Sequence, residues 1–203
     1  MVTMSMEKII FLLEEPSMKV FLEEFLPRFL PDLEYLCITH EGKQDLEKSI
    51  PRKLKAFRRG VFVIVRDNDG ADCYFVKKRL MDLCKGGGQS DVLIRIVCQE
   101  LESWYLGVMD VLADVYNRPR LTGLNRKAKY RNPDRLGSPS SELVKLIPEF
   151  RKIEGTRQMG TAMPLRETEN FSISFQFFIK GVHQVINNME IRKKARHSAM
   201  RQE

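Results

Sequence analysis

Glu14 and Glu15 close one apolar run of the chain, Asp67 and Asp69 a second, and Glu100 and Glu102 a third. Carboxylates gathered in one place repel one another, and a divalent cation is what lets them coexist. An all-oxygen donor set suits Mg²⁺ or Mn²⁺ rather than zinc. Magnesium held this way keeps positions open for water and phosphate oxygens, which phosphoryl transfer requires. Asp67 and Asp69 are two apart, so in extended backbone they point to one face. The same stretch, Asp67-Asn68-Asp69-Gly70, is also good turn sequence. Asp72 is the ambiguous member of the set, because it stands where an acid caps or favours the start of a following helix. Glu14 together with the DxD pair is more specific than either alone and points to a metal site.

Such acids meet only if the runs before them are neighbouring parallel strands. Lys8–Leu13 is short, apolar and rich in Ile, as a buried strand would be. Glu34–Thr39 reads as a second strand, Val61–Val65 as a third, and Val92–Cys98 as a fourth. VFVIV is apolar on both faces, as strands inside helix-covered parallel sheets are. Between them lie helical stretches. One is capped by Ser17 and ended by Pro27 and Pro31, and one over 43–59 is weakly helical and broken at Pro51. A third runs from Asp72 to Cys84 with Phe75, Val76, Leu80 and Leu83 on one face. Gly86-Gly87-Gly88 lacks the GK[ST] context of a phosphate loop and reads as a helix stop. Alternating strand and helix predict an α/β layer whose ligands bind beyond the carboxyl ends of the strands.

The second half departs from that pattern. Ser103–Tyr116 is helical, 117–140 is basic and turn-rich, Ser141–Ile147 is a short helix, and Ser174–Ile186 is amphipathic. Trp104 and Tyr105 read as core rather than base-stacking residues, and Phe171, Phe175 and Phe178 read as the buried stripe of the last helix. The organisation expected is a core over 1–116, a basic loop and helical extension over 117–190 packed on it within the same domain, and a disordered basic tail over 191–203.

The chain has 203 residues, of which 43% are hydrophobic and 30% charged. This is globular composition. No apolar run reaches the roughly 18 residues of a membrane span, and the N-terminus lacks the basic start and cleavage site of a signal peptide. The net charge of +7 is concentrated in 52–59, 118–135 and 191–203, so the rest of the chain is acidic. A cation site and an anion-binding surface can therefore share one molecule. Four scattered cysteines without CxxC spacing predict reduced thiols and a cytoplasmic protein. Three histidines stand at no zinc spacing.

A strand-end glutamate followed by a strand-end DxD resembles the Toprim fold of topoisomerases, primases and overcoming-lysogenization-defect nucleases. The segments VIVRDNDGADCYFVKKRL, RIVCQELESWYLG, YRNPDRLGSPSSEL, RKIEGTRQMG and NFSISFQFFIKGV resemble successive blocks of a bacterial Toprim-like family known as domain of unknown function 4276. The resemblance spans roughly Ile9 to Val182. It implies a Toprim-type fold and nuclease activity, and some relatives lie beside ATPases in systems assigned to defence. It makes Glu14 the Toprim glutamate and Asp67 and Asp69 the DxD pair. Glu100 and Glu102 fall on the family's ELE block, where further metal ligation is implied. The chain departs from the family in two places. The first motif carries Glu15 and Met18 where a glycine and a second acid stand in the family, and Gly107 is followed by Val108 rather than an aspartate.

The expectation is therefore a mainly parallel four-stranded sheet flanked by helices with a helical C-terminal extension. Its function is a Mg²⁺- or Mn²⁺-dependent nuclease. Glu14, Asp67 and Asp69 hold the metal, with Asp72 and Glu102 as further ligands and Glu100 as an added ligand or base. Lys152 and Arg157 either meet the scissile phosphate or lie on a solvated helix end. The basic segments 52–59 and 118–135 track the nucleic-acid backbone. Within the second, Arg126, Lys127, Lys129 and Arg131 make the contacts, with Tyr130 interleaved among them. The alternative is a non-catalytic subunit that binds nucleic acid or a partner ATPase. Nucleotidyl transfer ranks below both.

Overall fold

Ile9–Leu13 forms β1, and all five of its side chains are buried. A strand can be apolar on both sides only if both sides are covered, and here they are. The computed structural model describes residues 8–58 and 60–199. Along the first half run β1, α1 (Pro16–Phe29), β2 (Tyr35–Thr39), α2 (Lys43–Ala56), β3 (Val61–Asp67), α3 (Cys73–Gly86) and β4 (Val92–Val97). The sheet order is β2-β1-β3-β4, and every pairing is parallel. The chain steps from β1 outward to β2, then returns to the other side of β1 for β3. This reversal makes the gap between the carboxyl ends of β1 and β3 the switch point where such sheets bind ligands.

Alternate side chains divide between two cores. Ile9, Phe11, Leu13, Val63 and Val65 enter the larger one with α1 and the later helices, while Ile10, Leu12, Phe62 and Ile64 enter a smaller one under α2 and α3. The second half supplies α4 (Glu102–Leu106), α5 (Met109–Val115), α6 (Pro139–Leu146), α7 (Lys152–Ala162) and α8 (Ile173–Ala199), linked partly by 3-10 turns. Trp104 lies at the centre of the larger core. Its ring centroid is 5.6 Å from that of Phe21, 5.3 Å from Phe175 and 5.0 Å from Phe178, and its Nε1 donates to Ser174 at 2.9 Å.

Several local expectations give way to packing. Pro51 lies inside α2 without ending it, because Leu46, Ile50 and Leu54 keep one buried face across it. Pro27 is likewise inside the last turn of α1, and Glu15 rather than Ser17 is the N-cap residue, with Pro16 opening the helix. The stretch 103–116 is two helices broken at Gly107, where a Cβ would collide with Asn170. Phe75 and Phe171 are exposed rather than buried. The helix α8 continues through Ala199, beyond the expected start of a disordered tail at 191. Arg59, residues 1–7 and residues 200–203 lie outside the described residues. Among the described residues, no helix is long and apolar enough to cross a membrane.

Candidate functional site

Leu13 pairs with Val65, so the residues that follow them leave the sheet side by side. Glu14 then turns its carboxylate toward β3, where Oε2 accepts the Asp67 backbone N–H at 3.0 Å. Both acids are 8% exposed. Asp67 Oδ1 is buried with no hydrogen-bond partner among the described residues. Leaving a carboxylate oxygen this way costs free energy unless another group neutralises it. Burial pushes the Asp67 carboxyl well above its ordinary range, and the charges of Glu14, Glu15, Glu102 and Asp69 push the same way. Glu14 is also raised, first by burial and then by Asp69, against the opposing pull of the Asp67 N–H and Arg66.

The loop after β3 is fastened to the end of β4. Asn68 N–H donates to Val97 O at 3.1 Å, and Asn68 Oδ1 accepts from Gln99 N–H. Asp69 has a φ of 49° and Gln99 a φ of 66°. These are left-handed values, uncommon outside glycine. Asp69 is close enough to raise both buried acids, yet its Oδ2 is held at 3.2 Å by Lys43 Nζ at the start of α2. That pair is about half exposed and therefore weak, worth at most about 1 kcal/mol. Among the described residues, no three acidic, thiol or imidazole side chains stand ready to hold an ion. Glu14 accepts the Asp67 backbone N–H, while the Asp69 carboxylate faces Lys43.

On the α1 side, Glu15 Oε2 receives Lys152 Nζ at 2.7 Å from the first residue of α7. Burial pulls the Lys152 ammonium down, but the Glu15 hydrogen bond and the charges of Glu15, Glu102 and Asp67 outweigh it and leave the group raised. Glu102, 5% exposed at the start of α4, is raised by burial, with Lys152 pulling against it. On the α2 side, buried Arg66 meets Glu47 at 2.6 Å and stands 3.8 Å from Glu14.

Other expected residues are used elsewhere. Asp72 caps α3, accepting Phe75 N–H at 2.8 Å, which gives it a structural task rather than ligation. Glu100 Oε2 accepts Ser140 N–H at 2.7 Å and ties the start of α6 to the loop after β4. Arg157 pairs with Glu24 on α1 at 3.0 Å and with Glu154, so it braces two helices. Lys129 is bound by Glu142 at 2.6 Å, and Tyr130 is buried with its hydroxyl donated to the same carboxylate, which removes its ring from stacking. Arg131 donates to Arg126 O at 3.2 Å, while the side chains of Arg126 and Lys127 are exposed. Met18, where the family's second acid would stand, is buried in the larger core.

Sequence reasoning missed Lys43, Arg66 and the Glu15–Lys152 pair. For Arg66 the signal was present: it follows Ile64 at a spacing of two, so it faces the smaller core, and a charged residue there needs a partner. Lys43 and Lys152 are 26 and 137 residues from their partners, and no local pattern announces either contact.

Against known structures, the chain is similar to the C-terminal region of the Xanthomonas campestris pv. campestris OLD protein in two determinations. The one phased with iodine aligns with TM-score 0.54 and 13% identity over 93% of this chain and 98% of that one. The one phased with mercury gives TM-score 0.52 and 13% identity over 92% and 98%. This likeness establishes a shared Toprim-like fold. No curated protein matches the chain. The family model described as "Domain of unknown function (DUF4276)" matches residues 13–183, which include Glu14, the DxD loop and Lys152, so the chain belongs to that family.

Proposed function

We propose that the protein is a divalent-metal-dependent phosphodiesterase acting on DNA or RNA. The observation that carries this reading is Asp67, a buried aspartate with an unsatisfied oxygen, set against Glu14 at the switch point of a parallel sheet. The donors are all oxygens, which fits Mg²⁺ or Mn²⁺, and Glu14, Asp67 and Asp69 would hold the ion once Asp69 leaves Lys43. A bound ion would supply charge neutralisation and polarise a phosphate oxygen.

The chain's own groups do the rest. Lys152, anchored by Glu15, would meet a non-bridging phosphate oxygen and oppose charge developing there. Glu102, raised by burial, can carry or accept a proton beside the same edge. Arg126 and Lys127 are exposed on a loop pinned to α4 and α5 through Asn125, and would meet backbone phosphates. A nucleic-acid substrate is what the resemblance of the strand-end glutamate and DxD pair to Toprim nucleases implies, and the fold shared with the OLD C-terminal region is in keeping with it.

The test is cleavage of plasmid and single-stranded DNA with Mg²⁺ or Mn²⁺, wild type beside Asp67→Ala. Cleavage that disappears in the variant supports the reading, and cleavage that survives rejects it. Two observations favour a second reading. Asp69 is paired with Lys43, and Met18 removes an acid, as expected of a non-catalytic subunit that binds nucleic acid or an ATPase. That subunit would bind nucleic acid equally well with and without metal.

A further inference from the structure

The helix α3 has one face that the fold leaves unused. Val76, Leu80 and Cys84 turn into the smaller core. On the opposite side Tyr74 is 78% exposed, Phe75 64% and Met81 44%. Two large rings in water beside each other are uncommon without a task. They lie in the first turn of α3, immediately after the Asp72 cap and shortly after Asp69. Lys77 and Lys78 are exposed on the same helix and have no polar partner among the described residues. The steps from Tyr74 to Lys77 and Lys78, and from Phe75 to Lys78, are three or four residues, so rings and ammonium groups share one surface.

This combination selects its occupant. A second copy docking here would set Lys77 and Lys78 against their own counterparts, and like charges facing each other oppose association. A duplex hides the faces of its bases and offers the rings little. Unpaired nucleotides offer base faces to the rings and phosphates to the lysines. We propose that Tyr74 and Phe75, with Lys77 and Lys78, form a stacking platform that holds single-stranded nucleic acid beside the carboxylate edge. The platform rests on the nucleic-acid reading above and narrows its substrate to unpaired strands.

The experiment is fluorescence anisotropy of a labelled oligothymidylate of about 15 nucleotides, in EDTA so that nothing is cut, against a duplex of equal length. Wild type should bind the single strand about tenfold more tightly than the duplex. Tyr74→Ala/Phe75→Ala should weaken single-strand binding about 30-fold and leave duplex binding within about twofold, while Met81→Ala changes neither. Both rings are exposed, so the double variant should keep the wild-type melting temperature. Unchanged single-strand affinity in the double variant overturns the platform and leaves the nuclease reading standing, since cleavage by wild type is scored separately. Wild type that neither binds nor cuts overturns both. Light scattering that finds a wild-type dimer and a monomeric double variant assigns the face to self-association and also overturns the platform.

Discussion

The two edges of the sheet carry opposite charge. At the carboxyl edge stand Glu14, Glu15, Asp67, Asp69 and Glu102, within reach of one another's fields. At the amino edge lie Arg52, Lys53, Lys55 and Arg58. The helix α2 starts beside Asp69 and runs back along the sheet to Ala56 before β3 begins, so its basic end finishes far from its start. Arg192 of α8 joins that far edge through Asp91, just before β4. Summed along the sequence, these basic residues look like the acids' counterpart. In space the chain separates them, since strand-to-helix loops all fall at one edge and helix-to-strand loops at the other. The basic segment 52–59, as far as it is described, therefore lies at the opposite edge from the candidate site. Among the described residues, Lys43, Arg66 and Lys152 pair with or approach acids of this edge, and Asp67 Oδ1 is left without a partner.

The largest effect expected from breaking this asymmetry is on activity. Asp67→Ala should reduce metal-dependent cleavage by at least about 100-fold, whereas Lys55→Ala at the amino edge should stay within about twofold. Both are read as initial rates on single-stranded DNA. A comparable loss in both variants would mean that the two edges act together.

Next in size is a stability effect beside the site. Asn125 donates to Leu106 O at 2.8 Å and Tyr130 O at 3.1 Å, and accepts from Met109 N–H at 2.8 Å. Asn125→Ala strands these groups and should cost about 2–3 kcal/mol, a melting-temperature drop of about 5–10 °C by calorimetry. No drop would mean that the basic loop is not held as described.

Smaller is the pH dependence of the metal-free protein. Glu14 and Asp67 are both raised on folding. The folded state therefore binds more protons than the unfolded state once pH exceeds the unfolded values near about 4. Stability should fall as pH rises from there toward neutral. Asp67→Asn should flatten that slope and raise the neutral-pH melting temperature by a few degrees. A metal-free protein that gains stability over this range would contradict the assignment.

The smallest effect concerns the exposed pair. Lys43→Met frees Asp69 and should tighten Mn²⁺ binding about two- to threefold. Weaker binding would show Lys43 helping the ligands rather than competing with them.

Much of this architecture was legible in the residues. Apolar runs ending in acids located β1, β3 and β4, and the DxD spacing named Asp67 and Asp69, because strand burial and strand-end loops leave local traces. Asp72 stayed ambiguous until Phe75 N–H was found on its carboxylate. The fate of the basic residues was not legible. Lys129 is bound by Glu142, Arg157 by Glu24, and 52–58 lies at the far edge, and each outcome depends on tertiary contacts. A count of charges cannot say which of them are already paired.

The most direct measurement is calorimetric titration of the purified protein with Mn²⁺, wild type beside Asp67→Asn. Saturable binding at the Glu14–Asp67 pair is expected in the wild type, with its loss in the variant. Identical titrations for the two proteins, or a wild type that takes up no ion, would contradict a metal site at the switch point.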